Sequence, residues 1–197
     1  MFYTKLLLTL MRIVLSLQKI SKFRHFIYLY TMKKMLSIDL GVKTGLVLFN
    51  ENGEIIWYRS RNFGNKSRLN RAINSMMKDI DNLEHIVIEG GGDLLRAWQK
   101  EASRLSLKII VIQAETWRRE LLPAKVQKNT ALAKAAALKT AAHIIKETTG
   151  SNPKSLTDDA AEALLSGYWA LKEIGWRYDK NFFPHAEKQG FTTKETM

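Results

Sequence analysis

Asp39 stands at the polar end of an otherwise apolar run, Leu36-Ser37-Ile38-Asp39-Leu40-Gly41. A carboxylate in such a place costs desolvation unless a cation or several donors meet it. Glu89 repeats the arrangement at the end of Ile86-Val87-Ile88-Glu89. A third group of acids, Asp158-Asp159-Ala160-Ala161-Glu162, opens the last helical stretch. There Asp159 and Glu162 are i,i+3 and Asp158 and Glu162 are i,i+4, so two carboxylates share a helix face whichever aspartate is taken. Each group has an ordinary alternative: a strand-end acid can cap the next turn, and acids at a helix start complement its dipole or complete a capping box from Ser155 or Thr157. If they converge, the four carboxylates suit a pair of hard cations, Mg²⁺ or Mn²⁺. Two such ions roughly 3.5 to 4 Å apart activate a water and stabilise the leaving oxygen of an in-line phosphoryl displacement.

The elements that must position these acids follow from patterning. Met35 to Leu40 and Gly45 to Asn50 are short apolar runs, Asn52-Gly53 signals a tight hairpin turn, and Glu54 to Ser60 reads as the returning strand. Between Ser67 and Ile80, apolar residues at Leu69, Ile73, Met76, Met77 and Ile80 recur at helical spacing. Glu84 to Glu89 is a fourth strand ending in Gly90-Gly91-Gly92, after which Asp93 can cap a helix reaching about Leu105. Leu107 to Ala114 is a fifth strand, and helical stretches between strands imply parallel crossovers. The expected fold class is therefore α/β, with a mixed five-stranded sheet made of an antiparallel meander plus two parallel strands. A short helix over Thr116 to Leu122, an alanine-rich helix over Asn129 to Thr148 and a last helix over Asp158 to Ile174 complete the pattern.

Lysine and arginine total 31 against 19 acids, a net charge of +12, which favours a polyanionic partner. Residues 1 to 31 hold five of the cations and no acid, so the remaining chain carries +7 and is basic in its own right. Lys5 and Arg12 interrupt the leucine-rich start, which is too broken for a membrane span. It reads as a basic leader, an organellar presequence, or a start assigned too far upstream of Met32 or Met35. The working domain is expected over 32 to 176, with a tail over 177 to 197. Zero cysteines exclude disulfide scaffolds, thiolate metal sites and cysteine nucleophiles.

Taken together, IDLGVKTG, IVIEGG and DDAAEALL, spaced behind a three-strand meander, resemble the RuvC-like Holliday-junction resolvases of the ribonuclease-H-like superfamily. The resemblance covers roughly Met35 to Trp176. It implies that Asp39, Glu89, Asp159 and Glu162 bind two metal ions and hydrolyse a DNA phosphodiester, with Asp158 as an alternative ligand. Glu162 stands where bacterial members commonly have aspartate. That glutamate and the run Thr116-Trp117-Arg118 are similar to the chloroplast resolvases of plants. The resemblance further implies a two-fold symmetric homodimer acting on branched DNA, in a bacterial or phage cytoplasm or nucleoid, or in an organelle if the leader is a presequence.

On this reading the basic residues acquire roles. Arg59, Arg61, Lys66, Arg68 and Arg71 form one acid-free group, Arg118 and Arg119 a second, and Lys128 and Lys134 belong to a third along the alanine-rich helix. Such residues neutralise phosphates without reading sequence, although solvated faces look the same. Leu94 and Trp98 behind the triple glycine are candidates for a junction wedge, and core packing competes for both. Three rivals share these features: a nuclease for other branched DNA or RNA, a basic DNA-binding protein without activity, and an actin-like ATPase domain using Asp39-Leu40-Gly41-Val42-Lys43-Thr44 as a phosphate loop. The last needs a second related domain, for which this chain has no room.

Overall fold

The computed structural model describes residues 31 to 182. The chain divides into two units, Met1–Met32 and Lys33–Met197, and the sheet with its helices belongs to the second. Apart from Thr31, the expected leader lies outside the described residues, as does the end of the tail from 183.

Three strands, β1 (Lys34–Asp39), β2 (Lys43–Asn50) and β3 (Ile55–Asn62), form the meander. Helix α1 (Lys66–Lys78) leads to β4 (Leu83–Glu89), and α2 (Asp93–Arg104) leads to β5 (Lys108–Ile112). The sheet order is β3-β2-β1-β4-β5. Both pairs within the meander are antiparallel, while β1 with β4 and β4 with β5 run parallel. This is the expected mixed five-stranded sheet, an antiparallel meander extended by two parallel strands. The remaining helices are α3 (Ala114–Leu121), α4 (Ala124–Gln127), α5 (Thr130–Thr149) and α6 (Asp158–Glu173).

Alternation along the strands sends two apolar sets to opposite faces. On one face Met35, Val47, Phe49 and Val87 meet α3, α5 and α6, whose Trp117, Ala137, Ala141, Leu164 and Tyr168 are buried there. On the other, Leu36, Ile38, Leu46, Leu48, Ile86 and Ile88 meet α1 and α2 through Leu69, Ile73, Met77 and Trp98. Helix α6 is buried along Ala160–Leu171. Its closeness to the sheet depends on Gly45 and Gly167: a Cβ at Gly45 would run into the backbone of Asp159, and one at Gly167 into Phe49 and Ser37. Close-packed interiors have no slack for either. Among the described residues no helix is long and apolar enough to cross a membrane.

The β2–β3 connection is the expected tight hairpin turn: the Gly53 N–H donates to the Asn50 carbonyl at 2.9 Å and the Asn50 N–H to the Glu54 carbonyl at 3.1 Å. It spans Glu51 to Glu54, held by the buried Asn50, whose Oδ1 accepts from the backbone N–H of Asn52 (3.1 Å) and Glu54 (3.0 Å). Gly53, at φ +77, takes the left-handed conformation that the Asn-Gly signal calls for, and the Asx-type bonds of Asn50 brace the turn. Trp176, the last residue of the expected domain, packs edge-on against His85, with ring centroids 5.2 Å apart, and at the start of the expected tail Phe182 is buried against Tyr168.

Candidate metal centre

Asp39 and Glu89 are the last residues of β1 and β4 and stand opposite each other in the parallel register. Alternation directs both to the α6 face, because Ser37 and Met35 precede Asp39 at steps of two and Val87 precedes Glu89. Glu162 enters from the second turn of α6. That helix starts at Thr157, whose hydroxyl accepts from the Ala160 N–H (3.4 Å), a cap of the type expected for threonine. One carboxylate oxygen each from Asp39, Glu89 and Glu162 lie within 4.8 Å of one another. Glu89 and Glu162 are buried and Asp39 is half-buried.

The electrostatics are those of an under-compensated acidic pocket. Burial, followed by repulsion from Glu89, Glu162 and Asp159, pushes the Asp39 carboxyl up to about 8, and the charge of Lys134 opposes this. Burial also raises Glu89, to about 7, against the indole N–H of Trp117, which favours its ionised form. Trp117 Nε1 donates to Glu89 Oε2 at 2.6 Å, and the single hydroxyl proton of Ser166 is shared between the Glu162 carbonyl at 2.5 Å and that same Oε2 at 3.1 Å. Oε2 is thus the oxygen by which the core holds the Glu89 carboxylate in place. Arg118 donates from a terminal guanidinium nitrogen to Glu162 Oε1 at 3.0 Å.

An all-oxygen donor set with surplus negative charge fits a hard divalent cation such as Mg²⁺ or Mn²⁺. The raised carboxyls point the same way, since a bound cation supplies the charge that Asp39 and Glu89 lack in its absence.

The other residues singled out by sequence are distributed unevenly. Asp159 stands outside the trio: its Oδ2 pairs with Lys43 Nζ at 2.6 Å and accepts from Ser60 Oγ at 3.1 Å. Asp158 is exposed. Arg118, assigned by sequence to phosphate binding, is only 16% exposed and is committed to Glu162. Arg119, Lys128 and Lys134 are exposed, the last near Asp39. Arg59 and Arg61 pair with Leu46 and Thr44, which turns them to the α1–α2 face, away from Asp39. They stack over Trp57 (4.2 Å) and Phe63 (5.1 Å). Lys66, Arg68 and Arg71 are exposed on α1, with Lys66 3.6 Å from Asp93.

Trp98 is not a wedge. It is fully buried between α2 and the sheet, and Leu94 packs half-buried in the same cluster, because the apolar stripe of α2 faces inward. Gly90, at φ +114, brings the chain close to Leu40, so its conformational freedom serves packing next to the acids. Sequence reasoning missed Trp117, Ser166 and Lys43 as partners of the acids. Their only signal was position, one residue before Arg118, four after Glu162 and four after Asp39.

No protein-family model and no curated protein matches the chain. Among solved structures, the yeast mitochondrial Holliday junction resolvase Ydc2 is similar at a TM-score of 0.43 and 12% identity, over 72% of this chain and 81% of that one. The catalytic core domain of BIV integrase is similar at 0.30 and 12% identity, over 82% and 99%. The catalytic domain of Mos1 mariner transposase is similar at 0.27 and 12% identity, over 76% and 85%. Similarities this distant leave the functional reading to the site itself.

Proposed function

We propose that this chain is a divalent-metal-dependent endonuclease that hydrolyses phosphodiesters of branched DNA, with the four-way (Holliday) junction as its substrate. The observation that carries the reading is the convergence of Asp39, Glu89 and Glu162, from two neighbouring strand ends and one helix, on a common point. The resemblance in IDLGVKTG, IVIEGG and DDAAEALL supports it, as does the net charge of +12.

Asp39, Glu89 and Glu162 hold the metal. A bound pair of divalent ions, Mg²⁺ or Mn²⁺, lowers the pKa of water and stabilises the charge that develops on a phosphate during in-line displacement. The chain itself contributes the alignment. Trp117 and Ser166 fix the Glu89 carboxylate, and Arg118 fixes that of Glu162 while offsetting part of the negative charge that would repel a DNA backbone. Lys134, Lys128 and Arg119 lie exposed to meet phosphates of the substrate, and a two-fold homodimer places one site at each of two opposed strands.

The test is cleavage of a synthetic four-way junction and of a linear duplex of matching sequence, with Mg²⁺ or with EDTA, by the wild type and by Asp39→Asn. The expected result is symmetric nicking of the junction only, abolished by EDTA and by the substitution, with junction binding retained. Cleavage that survives both treatments overturns the metal mechanism. Equal cleavage of the linear duplex removes the junction assignment, and preference for an RNA–DNA hybrid transfers it to a ribonuclease.

A further inference from the structure

Asp159 matches the third acid of the resemblance, yet three independent features turn it away from the metal trio. The first is backbone position: α6 begins directly over β2, where Gly45 lets the Asp159 carbonyl come closer than any side chain would allow. Asp159 therefore starts above β2, over the residue paired with Asp39 across β1 and β2, and its side chain turns toward β3, on the side away from β4 and Glu89. The second is Ser60 of β3, which faces α6 beside Gly45 in the register and donates its hydroxyl to Asp159 Oδ2 at 3.1 Å. The third is Lys43, whose ammonium pairs with the same oxygen at 2.6 Å.

Lys43 itself is placed with care. It follows the turn Leu40 to Val42 that leaves Asp39, and Thr44 Oγ1 closes that turn by donating to the Gly41 carbonyl at 2.5 Å. Its side chain remains 55% exposed while the Asp159 side chain is only 21% exposed. One partner is anchored and the other is open to solvent. An ion pair with so exposed a cation is weakly held, and an ammonium with three donors can keep one bond to a carboxylate while offering another to a phosphate.

We propose that Asp159 is a positioning residue that tethers Lys43 at the rim of the site, and that Lys43 binds a backbone phosphate of the nucleic acid next to the cleaved bond. Asp159 is then not a metal ligand. The inference rests on the nuclease reading but separates from it, because metal binding and nucleic-acid binding are measured apart.

The experiment titrates Mn²⁺ alone into the wild type, Asp159→Asn, Lys43→Ala and Asp39→Asn by calorimetry. Binding of a fluorescent four-way junction to the same chains and to the Asp159→Asn/Lys43→Ala double variant is then followed in Ca²⁺ across a salt series. Asp159→Asn and Lys43→Ala are expected to leave the Mn²⁺ affinity within about twofold of the wild type, whereas Asp39→Asn abolishes it. Both should weaken junction binding several-fold and reduce the slope of log K against log salt by about 0.9, one phosphate contact. The double variant should be no worse than Lys43→Ala, and Lys43→Arg should retain most of the affinity. A tenfold or greater loss of Mn²⁺ affinity in Asp159→Asn makes Asp159 a ligand and overturns the proposal. Additive losses in the double variant, or an unchanged salt slope in Lys43→Ala, overturn the tether. A wild type that binds neither Mn²⁺ nor the junction overturns the nuclease reading and this inference with it.

Discussion

The indole N–H of Trp117 is hydrogen-bonded to Glu89 Oε2 at 2.6 Å, with both residues buried. A tryptophan in the core thus spends its one polar group on one of the acids at the pocket. The bond favours the ionised form of Glu89 against the burial that raises it to about 7. Trp117 and Arg118, consecutive on α3, thus reach two different acids, Glu89 and Glu162.

Trp117→Phe keeps most of the packing and deletes the donor. Losing a hydrogen bond to a buried charged group costs about 1.5 to 3 kcal/mol, and here the cost falls on the ionised carboxylate. The Glu89 carboxyl should rise above its present value, so the pH at which Mn²⁺ binding is half-maximal should move upward while the fold is kept. Calorimetric Mn²⁺ titrations between pH 6 and 9 would show the shift, and an unchanged profile would mean that the bond does not position Glu89.

The raised carboxyls fix the direction of the pH dependence of stability. Asp39 (about 8) and Glu89 (about 7) bind protons more tightly in the folded chain than in the unfolded one. The folded state therefore holds more protons between the unfolded values and these, and its stability declines as pH rises through that interval. His85, lowered by burial, acts in the opposite direction below its ordinary value, so the acids should dominate from about pH 6.5. Urea denaturation of the metal-free protein should show stability falling from pH 6.5 to about 8 and levelling by pH 9. Asp39→Asn should flatten most of the decline, and Mn²⁺ should reverse it. Rising stability over this interval in the metal-free wild type would contradict the placement of the acids.

Gly45→Ala would force the start of α6 away from β2, because the added methyl meets the Asp159 backbone. Overpacking of this kind costs about 1 to 3 kcal/mol, occasionally more. The same displacement carries Glu162 away from Asp39 and Glu89, so melting temperature and Mn²⁺ affinity should fall together. A variant that is destabilised yet binds Mn²⁺ as tightly as the wild type would show that Glu162 does not depend on this contact.

Arg59 and Arg61 stack on Trp57 and Phe63 on the sheet face away from the acids. If these arginines contact DNA, the Arg59→Ala/Arg61→Ala pair should reduce the salt slope of junction binding by about 1.8, twice the value for one phosphate. The effect should be equal for different junction sequences, since phosphate contacts carry no sequence information. Fluorescence anisotropy in a salt series measures both, and an unaltered slope would confine DNA to the α6 face.

The amino-acid sequence determined the strands, the helices and the acids at their ends, because those features are written in local patterns. Alternation placed Asp39 and Glu89 at strand termini, alanine content and spacing marked α5, and helical offsets put Asp159 and Glu162 near one another on α6. The Asn52-Gly53 signal marked the hairpin turn, while the Asn50 side-chain bonds that brace it lie outside the dipeptide. Trp98 lies on the inward stripe of its helix, and only packing against the sheet shows that stripe to be covered.

Which acids meet was a tertiary decision. Asp159 and Glu162 are one helical turn apart and equivalent by sequence, but Gly45 seats the helix so that one faces Lys43 and Ser60 while the other faces Asp39 and Glu89. Arg118 and Trp117 likewise acquire their partners only when α3 packs against α6 and the core. A carboxylate's neighbours depend on how close two backbones come, and that distance is set by side chains far apart along the chain.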